Sequence, residues 1–247
     1  MSLDDDRPLG HILTRREVLA TLGGAAMLSS TPGRVAQRFL GRGLWLPSCV
    51  VRPAQTEGPY FVDTRLDRSD IRSDPASGAV SEGIPLELTF RVSRMDGASC
   101  APFPDVLVDV WQCDALGVYS GVKDINGLFD TAGKQFLRGH QRTNAGGRAT
   151  FQTIMPGWYQ GRAVHIHFKL RVAPAEARGR EFTSQLYFDE KLLDQLATRT
   201  PYSTNRQVRS ANRQDKIFGE GGSDLILEVS RERDGLSATF DVGMVLT

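Results

Sequence analysis

Gly161-Arg162-Ala163-Val164-His165-Ile166-His167-Phe168-Lys169-Leu170-Arg171-Val172 is the stretch that decides how this chain folds. On an extended strand successive side chains point to opposite faces. His165 and His167 therefore share one face, while Ile166 and Phe168 supply the apolar other. Two of the chain's four histidines sit here, at the spacing that aims both imidazoles at one point, so the pair reads as a metal site. The competing reading is an exposed or core-satisfied histidine pair, with the tyrosines nearby as ordinary packing aromatics.

Outward from this strand the same two-residue alternation recurs. Leu86, Leu88 and Phe90 alternate with Glu87, Thr89 and Arg91, which predicts a strand over Pro85 to Ser93. Val164 to Val172 is the histidine strand itself. Others are predicted over Val106 to Gln112, Arg148 to Ile154, Thr183 to Phe188, Leu225 to Ser230 and Ser237 to Val245. Only Lys191 to Leu196 reads as helix. Short strands set off by turn signals, without a strand-helix-strand rhythm, predict an all-β fold: an antiparallel β-sandwich with long loops and little helix. The 25 glycines and 12 prolines favour such a turn-rich chain. At 247 residues a single core is expected, over residues 41–247, preceded by a different segment over 1–40.

That first segment places Arg15 and Arg16 ahead of a short apolar run, Val18 to Leu28, too short to span a bilayer as a helix. It resembles a twin-arginine export signal, which implies a periplasmic or extracellular protein that crosses the membrane folded and loaded with its metal. A degenerate signal would leave the chain in the cytoplasm, and an amphipathic N-terminal helix starting at Thr14 is the plainer alternative. An oxidising compartment would allow one disulfide among Cys49, Cys100 and Cys113. Turn-like neighbours favour Cys49 with Cys100, and Cys113 lies in a strand-like run. No cysteine pattern has zinc spacing.

Composition narrows the partners. Lys and Arg total 30 against 29 Asp and Glu, for a formal net charge of +1, and no basic run marks a nucleic-acid or membrane surface. A small-molecule partner is expected, and a homo-oligomer is compatible with the sequence. An imidazole pair without cysteine suits zinc, copper or iron. Other donors must complete the shell, and tyrosines are at hand in Trp158-Tyr159 and Val118-Tyr119-Ser120-Gly121. Phenolate is a hard anion, so two histidines with two tyrosinates would point to ferric iron. Elsewhere, Tyr60 reads as a loop anchor, and Trp111 and Trp158 as core or wall. His140, in the polar run Gly139-His140-Gln141-Arg142, reads as a solvated loop histidine. Arg138 and Arg142 read as a solvated face, with steering of an acidic substrate as the alternative.

Taken together, several stretches resemble the intradiol ring-cleavage dioxygenases, non-haem Fe(III) enzymes that open catechols between their two hydroxyls. These are Thr56-Glu57-Gly58-Pro59-Tyr60, Val108 through Ser120, Phe136-Leu137-Arg138-Gly139 and Met155 through Leu170, and the likeness runs from Cys49 to about Phe188. The resemblance implies ferric iron (Fe3+) held by Tyr119, Tyr159, His165 and His167. It also implies an active-site arginine at Arg162, a glutamine at Gln185, Tyr159 as the tyrosinate that leaves and takes a substrate proton, and Tyr60 at the substrate. The expected partners are a small aromatic diol and O2, and the expected product is a muconate-type dicarboxylate. The resemblance does not extend to the helical N-terminal dimerisation domain of the larger catechol and hydroxyquinol enzymes, and a smaller, exported branch is expected. Catechol, protocatechuate and hydroxyquinol are not separated. A non-catalytic exported β-sandwich that binds metal or serves structurally is the alternative from another class.

Overall fold

The structure, a computed structural model, describes residues 50–96, 99–172 and 181–245. The expected export segment, its boundary at residue 40 and Cys49 lie outside these residues. In β1 (Pro85–Asp96) the alternating Leu86, Leu88, Phe90 and Val92 are all buried, whereas Glu87 and Arg91 face outward. Along one edge β1 pairs antiparallel first with β5 (Arg148–Ile154) and then with β2 (Ser99–Pro102). Along its other edge lies β9 (Gly235–Val245), which also pairs with β8 (Val229–Glu232).

The second sheet runs β4 (Arg138–Arg142), β3 (Leu107–Trp111), β6 (His165–Arg171) and β7 (Glu181–Tyr187), antiparallel throughout. Phe168 of β6 packs its ring 5.2 Å from Phe90 and 5.4 Å from Phe240 of β9, centroid to centroid, so one aromatic triad joins the two sheets. Apolar faces meeting between two sheets make this an all-β sandwich. Its main helix, α1 (Glu190–Ala197), is capped by the Asp189 carboxylate, which accepts from the amides of Lys191 and Leu192. No helix among the described residues is long and apolar enough to cross a membrane.

Four local expectations are corrected. The β1–β9 ladder is parallel, because the first and last strands pair and all the intervening chain serves as their crossover. Gly139 to Arg142 is not a loop but most of β4, an edge strand whose polar sequence carries no apolar alternation. His140 is half-buried there, and its carbonyl accepts from the Arg68 amide. The predicted strand over Leu225 to Ser230 begins instead at Val229: Leu225 closes a 3-10 turn (Gly222–Leu225), and Leu225 and Leu227 plug the core. Arg138 is buried rather than solvated, whereas Arg142 is exposed and ion-paired with Asp105. Cys113 is free and buried, and Cys100 is disulfide-bonded.

Candidate metal centre

Strand β6 is buried on both faces. Ile166, Phe168 and Leu170 enter the sandwich core, and His165, His167 and Lys169 face a layer of loops that replaces water on the outer side. Register then sets a row across the sheet: Arg138, Trp111, His167 and Gln185 lie side by side on neighbouring strands. The Trp111 indole stacks on the His167 ring, with centroids 4.9 Å apart and planes 7° off parallel. Trp111 is therefore a wall of this site.

Two loops bring the tyrosines over the histidines. Tyr119 follows a turn in which the Asp114 carboxylate accepts from the amides of Leu116 and Val118. Its own carbonyl accepts from Thr131 Oγ1 at 2.6 Å. Arg138 fixes the next residue, donating to Ser120 O, and reaches Tyr60 O at 2.6 Å with Nη1. Burial brings the Arg138 pKa down to about 10, so it remains a cation at neutral pH. Tyr159 arrives from Gly157, where a Cβ would lie 2.2 Å from the Ala115 carbonyl oxygen. Only glycine lets these two loops pass so closely.

The structure thereby brings the four predicted donors together. His165 Nε2 lies 3.0 Å from His167 Nε2, 3.3 Å from Tyr119 Oη and 3.3 Å from Tyr159 Oη. His165 Nδ1 is 2.6 Å from the Ala163 carbonyl, which can only accept, so Nδ1 carries the proton and Nε2 presents a lone pair. Burial, joined by the nearby Arg162 charge, holds both histidines well below their ordinary pKa, and they are neutral. Burial pushes the Tyr119 phenol well above its usual value and Tyr159 up to about 12. Two neutral imidazoles and two phenolic oxygens aimed at one point, with no cationic side chain among them, fit a single metal cation. Among the described residues no group of three or more His, Cys, Asp or Glu side chains converges, so a cation here requires the tyrosine oxygens.

Beside this centre Arg162 is held from two sides. Its Nε donates to Asp215 Oδ2 at 3.0 Å and its Nη2 to Gln185 Oε1 at 2.5 Å. Gln185 in turn donates to Thr56 O and accepts from Tyr187 Oη. Burial works against the Arg162 charge, but Tyr159 and Asp215 more than offset it and raise its pKa. Asp215 was not singled out from the sequence. Its carboxylate also accepts from the amides of Ala163 and Ile217, capping α2 (Lys216–Gly219), and an Asp opening a short helical turn is the only signal it gave.

A cleft of about 590 Å³ opens onto Tyr159 and Arg162. Tyr60 lines it, stacks on Tyr119 at 4.6 Å and donates to Asp124 Oδ1 at 2.6 Å. Asp124 also went unnoticed, although Asp124-Ile125-Asn126-Gly127 is a readable turn: its other oxygen accepts from the amides of Asn126 and Leu128. Trp158 is buried with its Nε1 donating to Gln207 O, as part of the wall beneath. The Cys113 thiol, pushed far up by burial, is not a nucleophile.

Fold and site together define a β-sandwich protein with a two-histidine, two-tyrosine centre at the base of an open cleft. A family model for dioxygenases matches residues 56–220. Catechol 1,2-dioxygenase 2 of Acinetobacter lwoffii is 30% identical in an alignment of 192 residues that covers 65% of this chain and 62% of that relative's length. An intradiol ring-cleavage dioxygenase of Tetranychus urticae superposes with a TM-score of 0.67 at 30% identity, over 79% of this chain and 94% of its own. The dioxygenase domain of a dioxygenase–carbohydrate-binding protein fusion from Streptomyces sp. SirexAA-E gives 0.56 at 28%, over 80% and 100%. The chain belongs to the intradiol ring-cleavage dioxygenase family.

Proposed function

We propose that this chain cleaves the aromatic ring of a catechol-type diol between its hydroxyls, using ferric iron and O2. The observation that carries the reading is the convergence of Tyr119 Oη, Tyr159 Oη and His167 Nε2 on His165 Nε2. Two phenolates and two neutral imidazoles form a hard, twice-anionic donor set that suits a trivalent ion better than Zn2+. Ferric iron held there would supply Lewis acidity, drawing electron density from the diol so that a ring carbon can react with O2.

The protein's own groups divide the remaining work. Tyr159 Oη takes the proton of an incoming diol hydroxyl: it lies at the cleft, and once free it holds a proton up to about pH 12. Tyr119 is wholly enclosed and stays fixed. Arg162, immobilised by Asp215 and Gln185, stabilises negative charge developing on the ring. Trp111 and the Tyr60–Tyr119 stack exclude water from the inner wall. One diol and one O2 give one muconate-type dicarboxylic acid, with both oxygen atoms retained and no further reductant required.

The purified full chain, expressed aerobically with iron, is expected to carry about one iron per chain. It should be burgundy to red from tyrosinate-to-iron charge transfer. A colourless preparation that takes up no iron and leaves catechols uncleaved would overturn the proposal.

A further inference from the structure

The cleft wall carries information about the substrate that the metal centre does not. Ile125 and Leu128 expose 74% and 70% of their surface, and both line the cleft with Tyr60, Phe129 and Ile217. Exposed large apolar side chains are costly unless something covers them, and a rim of them around a concave site marks a ligand-binding groove. They are also held in place. Asp124 accepts from Tyr60 Oη and from the amides of Asn126 and Leu128, which ties the apolar turn 124–129 to the aromatic beside the metal ligands.

Charge on the same wall is sparse. Of the described residues lining the cleft only Arg162 and Asp124 are charged, and Arg162 is already paired with Asp215. Burial opposes ionisation of Asp124, but its hydrogen bonds from Tyr60 and the turn amides prevail and hold its pKa low, so it stays anionic. A carboxylate on the substrate ring would find no free cation among the described lining residues and would meet Asp124. The volume, about 590 Å³, lies within the span of about 300–1,000 Å³ usual for drug-sized ligands, more than a lone diol ring fills.

We infer that the cleft selects catechols bearing an uncharged apolar substituent, which extends from the metal centre along Tyr60 and the Ile125–Phe129 turn, and discriminates against catechols carrying a carboxylate. The inference rests on the proposed reaction for the placement of the diol, but it concerns a different part of the site. Asp124 is here a positioning residue and Leu128 a specificity residue.

The test is calorimetric titration of the full chain as purified, without oxygen, with catechol, 4-butylcatechol and 3,4-dihydroxybenzoate, followed by turnover in air. The butyl compound is expected to bind about tenfold tighter than catechol, and the carboxylate about tenfold weaker. Leu128→Arg, at an exposed position that tolerates the change, should tighten 3,4-dihydroxybenzoate about tenfold and weaken 4-butylcatechol; Ile125→Lys should shift both the same way. Equal or reversed binding order in the parent chain, together with normal ring cleavage, overturns the selectivity and leaves the reaction standing. The expected order without any ring cleavage does the opposite. Failure to bind any of the three overturns both. Sedimentation provides the last check: a parent dimer that Leu128→Arg turns into monomer with unchanged binding order would assign the rim to a second copy and overturn the inference.

Discussion

The two faces of β6 are one strand in two chemistries. Ile166, Phe168 and Leu170 are wholly buried on one side, and His165, His167 and Lys169 are almost as deeply buried on the other. On the first side burial is satisfied by contact alone, since apolar groups need no particular partner. On the second every buried polar atom needs one: Ala163 O, two residues back, serves His165 Nδ1, and the Trp111 ring on the neighbouring strand β3 covers the face of His167. His167 Nδ1 has no partner among the described residues. The first face stabilises the fold, and the second presents converging donor atoms that fit a bound cation. Such incomplete satisfaction on a rigid scaffold is what a functional site costs.

The comparison breaks most sharply at His167→Ala. Bound iron should fall to under about a tenth of the parent's and turnover by at least about 10³-fold. The metal-free variant should lose less stability than Phe168→Ala, because the cavity it opens is partly offset by removal of an unpartnered buried nitrogen. Iron content and turnover equal to the parent's would take His167 out of the centre. Phe168→Ala, one residue away on the other face, should show the reverse. It removes the ring that joins Phe90 to Phe240, and denaturant unfolding should show a loss of about 3–5 kcal/mol. Iron per folded molecule should stay near the parent's value. A loss below about 1 kcal/mol would mean that the two sheets do not depend on this triad.

Legibility followed the same division. Elements with an alternating apolar face were readable: β1, β5, β6, β7 and β9 fall within a few residues of the expected spans, and α1 gains one residue at each end. Strands β2 and β4 were not, because an edge strand of polar residues owes its pairing to its neighbours rather than to its own pattern. Leu225 and Leu227 imitated that pattern while serving as plugs. At the site, His165 and His167 announce themselves by spacing alone, whereas Tyr119 and Tyr159 were candidates by donor chemistry and became assigned ligands only through the family likeness. Asp215 and Asp124 escaped, because an aspartate that fixes an arginine or a turn looks in sequence like any other. Only the fold brings Asp215 within 3.0 Å of Arg162, 53 positions away.

Acid separates the two faces most gently. In the metal-free chain His165 and His167 are kept neutral by burial and by Arg162, far below their usual pKa. Once unfolded, each regains a pKa of about 6.5. Below that pH the unfolded chain binds protons that the native chain refuses, so stability falls as pH falls. The slope is at most about 1.4 kcal/mol per pH unit for each histidine. Asp63, Asp70, Asp74 and Asp124 have lowered pKa values and lose stability in the same direction, but only near and below the ordinary carboxylate range. Asp109 and Asp114, raised by burial, act with the opposite sign above that range, so they can only lessen the decline. A decline from about pH 6.5 to 5 is therefore the mark of the histidine face. Urea unfolding of the metal-free chain across that interval should show it, about half as steep in His167→Ala and unchanged in slope in Phe168→Ala. A flat profile in the parent would mean that the imidazoles gain protons in the folded chain, and the polar face would then be far more open to water than its burial indicates.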